Sequence, residues 1–291
     1  MRVASVYTDL VFHLLAFVPV GRDAPPLVRA ASSFSEPYQR WARASLPAEA
    51  VDPCERDAEL LGALLARPEV ATGIQLLAIL HEDTTQAIQA ALKSVRELTA
   101  RDVASPWALS ALQRLPPEPV EIARIALALA APEFAEAHAT TIAPLAQGAL
   151  AEIHPLLEAC KPSLGALASA SLRLSAPLGE HGRGYGDGII VGLHTLPPEP
   201  TRPAGPLVFA VHEIAVQAAS KALEGRGLQG TWALSERAAL QAGEQAVAGS
   251  VLEAPYLAWR AALDTSGLAR EGEVPPEVVR EVVARLSRSS A

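Results

Sequence analysis

Aromatic residues make up only 4% of this chain of 291 residues, which holds just two cysteines and one methionine. The shortage of Phe, Trp and Tyr removes the residues that favour strands, so an all-β sandwich or barrel is excluded as the main architecture. Cys54 and Cys160 lie far apart with no C-x-x-C partner, which excludes both a zinc ribbon and a disulfide framework and leaves each as a small core residue. Basic charge is also scarce. Lys and Arg number 24 against 32 Asp and Glu, for a net charge of -8, and no basic stripe marks a phosphate-binding face, so nucleic acid is excluded as a partner. Long apolar runs are missing as well. The most hydrophobic ones, residues 10–20 and 122–131, fall short of the roughly 20 residues that span a bilayer, and no clean signal-peptide cleavage site follows the first. The expectation is a cytoplasmic protein without a membrane span.

Half of the residues are hydrophobic, and alanine and leucine dominate them, which predicts mainly helix. The 24 prolines interrupt every apolar period and divide that helix into many short pieces. Asp9 is placed to cap a helix over 10–18. Leu60, Leu61, Leu64 and Leu65, then Ile74, Leu77, Leu80, Ile88, Leu92 and Val95, recur at helical spacing, and Tyr38 and Trp41 are the expected anchors of the segment before them. His13 and His154 fall on apolar helical faces and read as satisfied core or boundary histidines.

The texture changes at Pro162. Residues 171–178 alternate like a half-buried strand, the glycines from 179 to 188 read as a turning loop, and residues 188–194 form the best strand in the chain. A proline-rich link leads to an apolar helix over 207–223, with further helices over 235–248, 252–264 and 276–287. The expected fold is mainly α: a multi-helical region, residues 1–161, followed by a small α+β region, residues 162–291, with a short antiparallel sheet, the two packing either separately or as one unit.

Within the apolar helix lies Val211-His212-Glu213-Ile214-Ala215-Val216. In H-E-x-x-H on a helix, two imidazoles one turn apart hold zinc and the Glu between them polarises a water. Here Val216 stands where the second imidazole would be. The order of strand, His-Glu helix and a helix beginning Trp232-Ala-Leu-Ser-Glu236 resembles the glutamate-type zincin metallopeptidases over about residues 165–260. That resemblance implies His212 as first metal ligand, Glu213 as catalytic base and Glu236 as third ligand, although the usual spacing lands on Ser235. It also implies a cleft-lining edge strand at Ile190, Gly192 and His194 that pairs with a peptide.

Catalytic zinc keeps three protein ligands and an open position, and Val216 donates nothing. The resemblance therefore implies a pseudopeptidase, without a cofactor, that binds a protein or peptide partner. Zinc and peptidase chemistry return only if another residue, His181 or His194, completes the set. The alternative is a helical scaffold protein in which His212-Glu213 is an incidental polar pair.

Overall fold

The computed structural model describes residues 1–17, 36–51, 132–185, 188–193, 203–227, 232–263 and 273–288, with positions 67, 75, 78, 79 and 81 between them. The periodic stretches at 60–65 and 88–95, Cys54, and His194 lie outside the described residues. Those that are described are mostly helical around a small mixed sheet.

Strand β1 (Arg2–Val3) opens the chain and helix α1 (Val6–Phe17) follows. Ser5 starts the helix: its hydroxyl accepts the N–H of Thr8 at 3.2 Å, as a serine cap does. Asp9 is therefore inside the helix and not its cap, and it is fully buried. Helices α2 (Glu36–Ser45) and α3 (Ala48–Val51) follow, with Tyr38 sealed in the core.

After a π-helical turn (His138–Ile142), α4 (Ala143–Cys160) runs unbroken through Pro155. Cys160 is fully buried, whereas the His154 side chain is 62% exposed and faces solvent rather than an apolar surface. The short helix α5 (Gly165–Ser169) leads into β2 (Ser171–Ser175), a 3-10 turn (Ala176–Leu178), β3 (Gly182–Tyr185) and β4 (Gly188–Gly192). The carboxy-terminal helices are α6 (Gly205–Glu224), α7 (Trp232–Val247), α8 (Glu253–Ala262) and α9 (Pro276–Ser287). Pro206 and Pro276 occupy first turns, where a missing N–H costs nothing.

The sheet order is β1-β2-β4-β3. β1 and β4 both run parallel to β2, and only β3 is antiparallel to its neighbour. The sheet is thus mixed, not the short antiparallel one expected. Of its parallel pairs, β1 with β2 joins segments far apart in sequence, and β2 with β4 passes over the intervening β3, neither of which local alternation can signal. Leu172, Leu174, Ile189 and Val191 are buried on one face, while Arg173 and Ile190 are buried on the other, so both faces are covered. One hydrophobic cluster runs from Leu10 and Val11 through the sheet to Val278 and Val282, and joins both halves of the chain.

β3 lies inside the stretch expected to be a glycine loop. Gly182 and Gly184 belong to the sheet face that carries Ile189 and Val191, and they let α6 come close. A Cβ on Gly182 would stand 2.6 Å from Glu213 Cγ, and one on Gly184 would stand 2.3 Å from Gln217 Nε2. At the other end of the sheet, Gly192 meets Gly179 backbone to backbone: a Cβ there would lie 2.0 Å from the Gly179 carbonyl oxygen. Gly179 itself takes φ 63°, which L side chains resist.

Candidate functional site

Helix α6 is apolar around most of its circumference, with Leu207, Val208, Val211, Ala215 and Ala219 buried and Ile214 half-buried. It packs between the sheet and helices α7 and α9, which makes it the central helix of this half. His212, Val216 and Ser220 fall one turn apart along one face. Helix α7 crosses that face. Glu236 Oε2 stands 2.9 Å from His212 Nε2, and the Ser220 hydroxyl donates to the Ser235 hydroxyl at 3.1 Å. Half-buried Val216 falls between these two contacts. Trp259 of α8 lays its ring edge-on to the His212 imidazole with centroids 5.0 Å apart.

Glu213 points to the sheet. The Gly192 N–H donates to the His181 carbonyl at 2.7 Å, which makes 181 and 192 a hydrogen-bonded pair. Because such pairs alternate along an antiparallel ladder, Gly182 and Gly184 turn their backbone groups away from β4. The Glu213 side chain lies over these two glycines on the face that α6 covers.

The charges form one coupled group. Burial works to lower the His212 pKa, but the Glu236 carboxylate, aided by Glu213, outweighs it and holds the imidazole above its usual range. Burial raises the Glu213 carboxyl, against the opposing pull of His212, Arg183 and the Gly184 N–H. His181 is pushed down to about 2, chiefly by burial, with Arg183 and His212 adding to the effect. The ring of Tyr256 seats on Gly243, and its hydroxyl is pushed up by burial and by Glu236.

Of the residues named from sequence, His212 and Glu236 are brought into contact, while Glu213 faces the sheet. The expected peptide-binding edge is not at Ile190 and Gly192. β4 is an interior strand: Ile190 pairs with Arg173 on one side and Arg183 on the other, and Gly192 pairs with Ser175. The glycine-rich segment before it takes the edge position instead, so the outer edge in this region belongs to β3.

Zinc of the zincin kind needs three donors around one point. His212 Nε2 and Glu236 Oε2 engage each other, Val216 has no donor, and among the described residues no three His, Cys, Asp or Glu side chains are grouped to hold a metal. The donor set does not fit the ion. The His212 Nδ1 atom is buried without a hydrogen-bond partner.

Sequence reasoning missed a second buried polar group. Asp9 Oδ2 stands 3.0 Å from His138 Nε2, and the Ser175 hydroxyl faces the same carboxylate. Tyr38 bonds His13 Nδ1 at 2.7 Å, and His13 Nε2 meets the Val51 carbonyl at 3.1 Å. His13 is therefore the satisfied core histidine expected. The only signal for the rest was a charged residue, Asp9, at the head of an apolar helix. Comparison of the chain with protein-family models, curated proteins and solved structures finds no match.

Proposed function

We propose that this chain is a metal-free relative of the glutamate-type zincins that works as a non-catalytic protein-binding module. It takes an extended polypeptide segment along the outer edge of β3. The observation that carries this reading is the contact between His212 and Glu236, made by two successive helices beside an antiparallel edge strand. A peptidase would need zinc at that point, and the donors are too few. A strand edge remains useful without metal, because an added segment is bound by main-chain hydrogen bonds. Among the described residues no strand pairs with the outer side of β3.

The test is to pan a phage-displayed library of random decapeptides on the purified chain and follow the backbone amides by NMR with an enriched peptide. Protection from exchange should rise at Gly182 and Gly184. Failure to enrich any peptide, or changes confined to helices α7 to α9, would replace this reading with that of a helical scaffold. One tightly held zinc per chain by elemental analysis, together with peptidase activity, would overturn its metal-free part.

A further inference from the structure

Both ring nitrogens of His13 are committed, and their partners fix which one carries the proton. A backbone carbonyl can only accept, so Nε2–H donates to the Val51 carbonyl at 3.1 Å, and Nδ1 then accepts the Tyr38 hydroxyl at 2.7 Å. One imidazole of α1 thus fastens both α2 and α3, and only the neutral ring can do so. A second proton, on Nδ1, would force the Tyr38 hydroxyl to turn its hydrogen toward the rings of Phe17 and Trp41. It would also place a cation where His13 and Tyr38 are wholly buried, which is costly without a counter-charge.

The surroundings do not supply one among the described residues. Phe17 and Phe134 flank the imidazole with centroids 4.8 and 4.7 Å away, and Arg43 of α2 already stands over Phe17 at 5.4 Å. Asp9, one turn earlier on α1, is engaged by His138 at 3.0 Å. Glu36, Arg40 and Glu49 of α2 and α3, and Glu133 and Glu136 before the π-helical turn, are exposed. The buried apolar residues of α2 and α3 and of the turn between them are Tyr38, Ala42, Leu46 and Ala50, half of them alanines, which bury little area.

We propose that α2 and α3 form an acid-released arm: a proton on His13 breaks the Tyr38 contact, and the arm lifts from α1 while the sheet and helices α4 to α9 stay folded. The closed arm holds His13 down to about 4, chiefly through burial, and the open arm returns it to about 6.5. The arm is therefore fully held above about pH 6.5, and its open fraction grows as pH falls toward 4. Between pH 7.5 and 4.5 the opening constant should rise about 70-fold.

Hydrogen exchange of the full chain over this pH range, corrected for the intrinsic rate, measures that constant. Protection over residues 36–51 should fall about 70-fold and lie at least about tenfold below that of α4 and α6 at pH 4.5. His13→Gln stays uncharged, so its arm should change by less than about threefold, whereas His138→Gln should keep the full response. Nitrogen spectra of the wild-type ring should show Nε2–H and a bare Nδ1 at pH 7.5.

Arm and helices that lose protection together at one rate would show global unfolding and overturn the arm. An equal pH response in His13→Gln, or its loss in His138→Gln, would place the trigger outside His13. Should His13→Gln not fold, the wild-type ring decides: a proton on Nδ1 at pH 7.5, or a ring that becomes charged while residues 36–51 keep their protection, overturns the proposal.

Discussion

Substituting Val216 by histidine would place an imidazole between the two contacts that tie α6 to α7. Val216 is only half-buried, so the ring can keep a polar edge near water, and the exchange should cost about 1 to 2 kcal/mol from lost packing. The new imidazole, His212 and Glu236 would then supply three donors. Zinc must still separate the His212–Glu236 contact, now 2.9 Å long, so its affinity should be micromolar rather than that of a preformed site. With a dissociation constant of about 1 µM, 100 µM zinc adds about 2.7 kcal/mol of stability. For a chain of this size that corresponds to roughly 4 to 5 °C in Tm. Thermal melts of the wild type, Val216→His and Val216→His/His212→Ala, each with and without zinc, measure it. The single variant should melt lower than the wild type without zinc and regain the loss with it, and the other two should not respond. A variant that loses stability irrespective of zinc would show that Val216 packs in a dry interface, and the comparison with zincin geometry would fail.

Truncating Glu236 to alanine leaves His212, 9% exposed, with neither ring nitrogen partnered, and should cost about 3 to 5 kcal/mol in urea denaturation; a loss under about 1 kcal/mol would refute the importance of the pair. His13 is held down to about 4, chiefly by burial, so the native state stays unprotonated where the unfolded chain takes up a proton. Its contribution is complete above about pH 6.5 and is lost as pH falls toward 4, at about 1.4 kcal/mol per pH unit and about 3 kcal/mol in total. His181 acts in the same direction, so the slope of stability against pH should be compared with that of His13→Gln, and equal slopes would refute the assignment. Gly192→Ala drives a methyl group into the Gly179 backbone and should cost about 3 kcal/mol or more, seen as a lower urea midpoint; a near-neutral result would mean that the two strands do not meet so closely.

Elements that follow local rules were legible. Two prolines and the Val278, Val279, Val282, Leu286 spacing announce α9 in sequence, and it runs from Pro276 to Ser287. β4 is equally plain as a strand, but its place in the sheet is not, because alternation reports burial and never neighbours. β3 has no strand signal at all. Gly-Arg-Gly-Tyr is extended because α6 packs on it, and the glycines that permit that approach are the residues that read as a loop. The order of strand and helices placed Glu236 opposite His212, even though one-residue spacing favoured Ser235. Asp9 reads locally as a helix cap because its partner, His138, lies far along the chain, and no local pattern reports such a pair.

The two residues of β1 align with Arg173 and Leu174, and Ala4 continues the ladder by donating to the Leu174 carbonyl at 2.9 Å. During synthesis, at about 5 to 20 residues per second, that strand waits roughly 10 to 30 s for its partner to appear. Asp9 likewise waits for His138 before its carboxylate has any imidazole to meet. Closing so wide a loop carries its entropy cost before any contact repays it. Folding of the sheet is therefore a late event, and the part of α1 that packs on the Ala176–Leu178 turn stays open on the nascent chain until that turn is made. A chaperone that holds such a helix on the ribosome should raise the yield of native protein more than one acting after release.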